Sequence, residues 1–245
     1  EDVMGKQYWR GGNMLYPVPA VMVSCGRPEE RPNIITVAWA GTVCSSPAMV
    51  SISVRKERYS YDILKETGEF VINLITRDLT YATDFCGVRS GRDVDKFAQM
   101  HLTPLPSQHI SAPGIAESPV NLECKVTQVI PLGSHDMFLA EVLGVTVDEK
   151  YMDENGKFHL NDAGLVAYSH GEYFELGEKL GKFGYSVAKK QVAKTESVTK
   201  SAKPSGAGKK AASAENRTAS KTEAGNRRKS ASKTGSADKQ KSRRK

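Results

Sequence analysis

From Met49 to Val54 apolar and polar residues alternate. Val50, Ile52 and Val54 fall on one face, Ser51 and Ser53 on the other, the period-two pattern of a half-buried β-strand. The stretch from Val120 to Val129 repeats it through Val120, Leu122, Cys124 and Val126. The short apolar runs from Ile34 to Ala40 and from Phe70 to Ile75 predict two more strands. Met137 to Val147 reads as a long strand, with Gly144 marking a bulge or bend. The run Asp153-Glu-Asn-Gly156 predicts a turn between two strand-like pieces.

Helical signals are few and short. Ser60 is a candidate N-cap for a helix from Tyr61 to Glu66, with Gly68 ending it. Asp78 to Phe85 and Val94 to Met100 are the other candidates. Many antiparallel-looking strands with few helices predict a mainly β protein, a closed barrel or a sandwich. The strands do not alternate with long helices, so a doubly wound sheet is disfavoured.

Composition divides the chain sharply. Aromatic and branched apolar residues continue through Tyr185; after Lys190 the sequence is rich in Lys, Ala, Ser, Thr and Gly and has no aromatic. Residues 189–245 hold 18 Lys and Arg against 4 Asp and Glu, a net charge of +14. Residues 1–188 hold 17 against 24, a net of −7, so the overall +7 belongs to the tail. Such a tail buries too little apolar surface to offset its ordering entropy and is expected to be disordered. The expected organisation is one domain over 1–188 and a basic tail over 189–245. No apolar run reaches the 18 residues of a membrane span, and Glu1 to Arg10 lacks an apolar signal-peptide core. Cys25, Cys44, Cys86 and Cys124 are far apart, with neither a CxxC pair nor a His at zinc spacing. Together these features predict reduced thiols, no metal site and a cytoplasmic location. Cys86 reads as buried and inert rather than as a redox thiol.

Several common site signatures are missing: GxGxxG opening a helix, GxxxxGK[ST], HExxH and GxSxG. Four other constellations could carry chemistry. Asn33 to Pro47 mixes a strand pattern with Thr36, Thr42, Ser45 and Ser46, which suits either a planar aromatic ligand or a strand followed by a polar loop. Ser53 to Ser60 places Arg55, Lys56 and Arg58 directly after a strand, as a phosphate site or a solvated charge run. Cys86 to Phe97 holds Ser90-Gly91 before a short helix carrying Lys96, either an anion nest or an ordinary helix cap. His135 stands in a turn before the long strand, near a site or simply exposed. Tyr173 and Phe174, between glycines, read as core.

Across nearly all of residues 14–190 these pieces, in this order, resemble the flavin reductase-like, FMN-binding split-barrel family, and within it the flavoredoxin branch. The similarity runs from Leu15-Tyr-Pro-Val-Pro19 through Asn33–Ser46, Ser46–Arg55, Phe70-Val-Ile-Asn73 and Cys86–Phe97 to His135 and Phe138–Val142. The resemblance implies a six-stranded antiparallel Greek-key split β-barrel, usually a homodimer with FMN near the subunit interface. It implies that Thr36, Val37, Ala38 and Trp39 line the flavin ring, and that Cys44, Ser45 and Ser46 contact the ring or ribityl chain. Ser53, Arg55, Ser60, Ser90, Gly91 and Lys96 then share the ribityl chain and phosphate, with His135 near the flavin or an incoming nicotinamide. The implied activity is an FMN-dependent oxidoreductase, a flavin reductase or flavoredoxin-like carrier, taking hydride from NADH or NADPH to flavin N5 and passing electrons to an acceptor the sequence does not name. The competing expectation is a non-enzymatic FMN-binding or structural barrel whose basic tail binds nucleic acid or another polyanion without specificity. That tail lacks aromatics for base stacking.

Overall fold

The computed structural model describes residues 5–188. The chain divides into two units, Glu1–Tyr185 and Ser186–Lys245. The first holds every strand and α-helix of the described residues. The expected basic tail, 189–245, lies outside the described residues. No helix among the described residues is long and apolar enough to cross a membrane.

Twelve strands are described: β1 (Val18–Pro19), β2 (Val21–Cys25), β3 (Asn33–Val37), β4 (Ala40–Ser45), β5 (Ala48–Arg55), β6 (Glu69–Leu74), β7 (Pro104–Leu105), β8 (Gly114–Ile115), β9 (Val120–Pro131), β10 (His135–Val147), β11 (Val166–Ser169) and β12 (Glu172–Glu175). The three α-helices are α1 (Tyr59–Thr67), α2 (Thr80–Val88) and α3 (Lys96–Gln99). Seven strands form the main sheet, all paired antiparallel, in the order β3-β2-β6-β9-β10-β5-β4. That is one strand more than the barrel that the resemblance implies, because the hairpin partner β4 joins an outer edge. The first and last strands of this order follow each other in the chain. The sheet therefore closes on itself where the backbone passes from β3 to β4 through Ala38 and Trp39. The amide of Ser53 on β5 donates to the Trp39 carbonyl at 2.9 Å and ties this seam.

The alternation of β5 holds: Val50, Ile52 and Val54 are buried inside the barrel. They pack with Phe70, Ile72, Cys124, Phe138 and Ala140, while Tyr61, Ile63 and Leu64 of α1 fill one end. β2 is buried along its whole length because it has a core on each side. Val21, Val23 and Cys25 point into the barrel, and Met22 points out. Outside, Met22 and Ile34 meet Leu79, Ala82 and Cys86 of the α2 region and Phe97 of α3. That second core fixes α2 and α3 against the outer faces of β2 and β3.

Local signals held where no distant residue competed. Gly68 ends α1 in the left-handed region (φ 63°) and donates to the Leu64 carbonyl at 3.0 Å. The β9–β10 register shifts between Val142 and Gly144. A Cβ on Gly144 would stand 2.8 Å from Nδ1 of His109, so the bulge gives that ring its room. His170 (φ 51°) and Gly171 (φ 95°) make a two-residue hairpin turn between β11 and β12, with positive φ at both centres.

Two expectations need correction. Helix α1 starts at Tyr59, and Ser60 is a buried residue inside it rather than its cap. The Ser60 hydroxyl accepts a hydrogen bond from Nδ2 of Asn33 at 2.7 Å, so a strand far away in sequence claims it. Tyr173 packs on the second core as expected, but Phe174 is half exposed, because β12 is the edge of its small sheet.

Candidate functional site

Three adjoining pockets follow the seam of the barrel. The first, about 300 Å³, lies between the start of α1 and the segment joining α2 to α3. The second, about 140 Å³, is walled by residues 35–39 of the seam, by Ser53–Arg55 of β5 and by His135. The third, about 400 Å³, lies beyond it under Gly12–Leu15, with Leu132 on the far side. Ile35 and Arg58 line both the first and second pockets. Trp39, Ser53 and His135 line both the second and third.

The first pocket is built for an anion. Arg58, Arg89, Arg92 and Lys96 line it, against the single acid Glu57. Arg58 is also the N-cap of α1 and makes no side-chain cap bond. Orphan amides of the first turn therefore stand at a positive helix end that opens on the pocket. Arg92 lies over the Tyr59 ring, 5.4 Å from its centroid. The Ser90-Gly91 turn is held by Arg31, which donates to the Gly91 carbonyl at 2.9 Å, and by Ser90 Oγ, which accepts from the Arg92 amide at 3.2 Å. Gly91 is required here. A Cβ would sit 2.1 Å from Oδ1 of Asn33 and 2.6 Å from the Tyr59 ring.

Lys96 forms part of the floor and is 3% exposed. Its ammonium donates to the carbonyls of Ile34 (2.6 Å) and Cys86 (2.8 Å), clamping the end of α2 to β3. Burial pulls it down to about 8 from the ordinary 10.5. Across that window the unfolded chain holds a proton that the folded chain has shed, so Lys96 makes stability rise with pH. The penalty is full below the folded value and is relieved above the unfolded one. The expected gain is about 3 kcal/mol, and it should vanish in Lys96→Met. Urea midpoints of both proteins below and above the window test this.

Burial pushes the Cys86 thiol up to about 11, which fits an inert thiol. Cys25 and Cys124 are buried as well, and burial pushes both up to about 12.

In the second pocket Val37 is buried and Ala38 and Trp39 are half-buried at the seam. The Thr36 hydroxyl donates to the Thr83 carbonyl in α2, so it holds the helix in place. Arg55 is exposed on the second pocket, not the first, and pairs with Glu57 at 3.4 Å. His135 lies across the sheet from Arg55, and its Nδ1 is 2.9 Å from Ser134 Oγ. Burial, and then Arg55, hold its pKa below the ordinary value, so the ring is neutral near neutrality.

Eleven of the residues expected from sequence therefore converge here. Thr36, Val37, Ala38, Trp39, Ser53, Arg55 and His135 line the second pocket; Ser60, Ser90, Gly91 and Lys96 line the first. Cys44, Ser45 and Ser46 do not join them. They lie at the β4–β5 turn and line none of the three pockets. Sequence reasoning named Arg58 only within the Ser53–Ser60 charge run and passed over Asn33, Arg89 and Arg92 as site residues. The two arginines flanking Ser90-Gly91 were the legible signal, since they put cations on both sides of a turn.

A closed antiparallel barrel with a cation-lined pocket joined to a narrow slot defines a split-barrel protein. The flavin reductase like domain model matches residues 13–177, and the chain belongs to that family. Membership carries flavin-related oxidoreductase chemistry with it. The chain is 34% identical to flavoredoxin of Desulfovibrio vulgaris (Miyazaki F), with a TM-score of 0.69 over 75% of this chain and 100% of that one. It is 31% identical over 160 residues to an uncharacterized protein of Archaeoglobus fulgidus, covering 65% of this chain and 88% of that protein. An FMN-binding protein from Thermus thermophilus shares the fold at 23% identity and a TM-score of 0.60, over 74% of this chain and 99% of that one.

Proposed function

We propose that the protein binds FMN along the seam and works as an oxidoreductase between NADH or NADPH and a separate electron acceptor. The observation that carries this reading is the joining of a four-cation pocket to a slot walled by the seam backbone. The residues fit the cofactor. A phosphate dianion calls for charge-assisted donors and backbone amides, which Arg58, Arg89, Arg92 and the start of α1 supply. Gly91 lets the Ser90-Gly91 turn lie close against Asn33 and Tyr59 at the pocket wall, where a Cβ would collide. Residues 36–39, Ser53 and His135 offer apolar walls and a few polar atoms to a flat ring. When bound, FMN supplies a ring that takes hydride from a reduced nicotinamide and gives electrons onward.

The chain's own part is to hold and orient. The cations fix one end, the seam sets the ring position, and neutral His135 stands where the second and third pockets meet. The third pocket, with Leu15, Trp39 and Leu132, is the place for a nicotinamide or an acceptor. The FMN-binding split-barrel proteins this chain resembles are usually homodimers, which supports the same assembly here. The +14 of residues 189–245 supports a salt-sensitive contact with polyanions.

The test is a titration of the purified full chain with FMN, then oxidation of NADH and NADPH with FMN present. Binding with nicotinamide-dependent bleaching of the flavin is expected. A chain that binds no FMN and oxidises neither nicotinamide overturns the reading. Polyanion binding lost on removing residues 191–245 would then leave the tail as the working part.

A further inference from the structure

Asp136 follows His135 on β10, but its side chain points the other way and is 4% exposed. Oδ2 accepts a hydrogen bond from the Tyr61 hydroxyl at 2.5 Å. Oδ1 faces the Lys56 ammonium at 3.3 Å and accepts no hydrogen bond among the described residues. Tyr61 lies in the first turn of α1, edge-on to Phe138 at 5.8 Å. Lys56 stands just beyond the end of β5. The carboxylate therefore grips both sides of Glu57-Arg58-Tyr59, the segment that lines the anion pocket. The Tyr61 bond and then Lys56 hold the Asp136 carboxyl below its usual range. The same bond helps push the Tyr61 phenol up to about 12. The pair thus stays a carboxylate and a neutral phenol across the working pH range.

We infer that Asp136, with Tyr61 and Lys56, is a positioning latch that presets the β5–α1 turn for the ligand's phosphate. This inference rests on the reading of the seam as an FMN site. The latch touches no pocket itself: Lys56, Tyr61 and Asp136 line none of the three. Its effect reaches the ligand through Arg58 and the N-terminus of α1. Without it the turn has to be ordered at the moment of binding, and that cost falls on the phosphate end alone.

The experiment compares FMN with riboflavin on the full chain, for wild type, Lys56→Met, Lys56→Arg, Tyr61→Phe and Asp136→Asn. Lys56 is largely exposed, so its variants keep the fold even if a core variant does not. FMN should weaken about tenfold in Asp136→Asn and Tyr61→Phe and about threefold in Lys56→Met. Riboflavin should hold in all of them, and Lys56→Arg should behave as wild type. Equal losses for both ligands show a merely structural role and overturn the latch. So does an unchanged preference for FMN in every variant. A wild type without preference for FMN overturns the underlying reading and the latch with it.

Discussion

The double substitution Arg58→Ala with Arg89→Ala is expected to weaken FMN by about 30- to 100-fold and riboflavin by less than about threefold. Both guanidinium groups border the first pocket, and only FMN carries a dianion there. Both side chains are exposed, which lowers what each contributes. A phosphate held by cations, helix amides and a glycine turn still loses two of its charge-assisted donors in the variant. Fluorescence titration with each ligand at one ionic strength separates charge from ring binding. Parallel losses for the two ligands would place the phosphate elsewhere. A loss that disappears at high salt would be screening of a general field rather than a built site.

A second large effect is expected from a single methyl group. Gly91→Ala sets a carbon 2.1 Å from Oδ1 and 2.6 Å from Cγ of Asn33, and 2.6 Å from the Tyr59 ring. Neither neighbour can withdraw freely. Asn33 is buried and bonded to Ser60, and Tyr59 lies under Arg92. Overpacking of this kind costs about 1–3 kcal/mol. Because the strain falls on the floor and rim of the anion pocket, FMN affinity should fall more than about tenfold as well. Gly41→Ala is the control, since nothing lies within 4 Å of its added carbon. Melting temperature and FMN titration on both variants decide the matter. A Gly91→Ala protein that keeps wild-type stability and affinity would show that the turn has room to spare.

What the sequence made legible were features set by near neighbours. The alternation in β5, the glycine that ends α1 and the bulge at Gly144 each follow from a few adjacent residues. What stayed hidden depends on partners brought from afar. Ser60 looks like a helix cap until Asn33 arrives from β3 and takes its hydroxyl. Lys96 looks like a free cation until the carbonyls of Ile34 and Cys86 surround its ammonium. The hydroxyl run ending in Ser45 and Ser46 looks like ligand chemistry, yet β4 carries it past the pockets to the next turn. Arg58 and Arg89 stand 31 positions apart in sequence, and no periodic pattern marks them as lining one cavity. The linings of the first and second pockets were therefore visible as separate fragments, and their convergence was carried only by the family resemblance.

The closing of the sheet through Ala38 and Trp39 has a consequence for change over time. The residues that wall the slot are the ones whose backbone shuts the cylinder, so a substitution there alters fold and recognition together. On the proposed reading, freedom to accept new reactants thus lies with the segments that line a cavity without closing anything, Gly12–Leu15 and Leu132. The grip on the ligand is conservative by construction, while the doorway beside it can be remodelled.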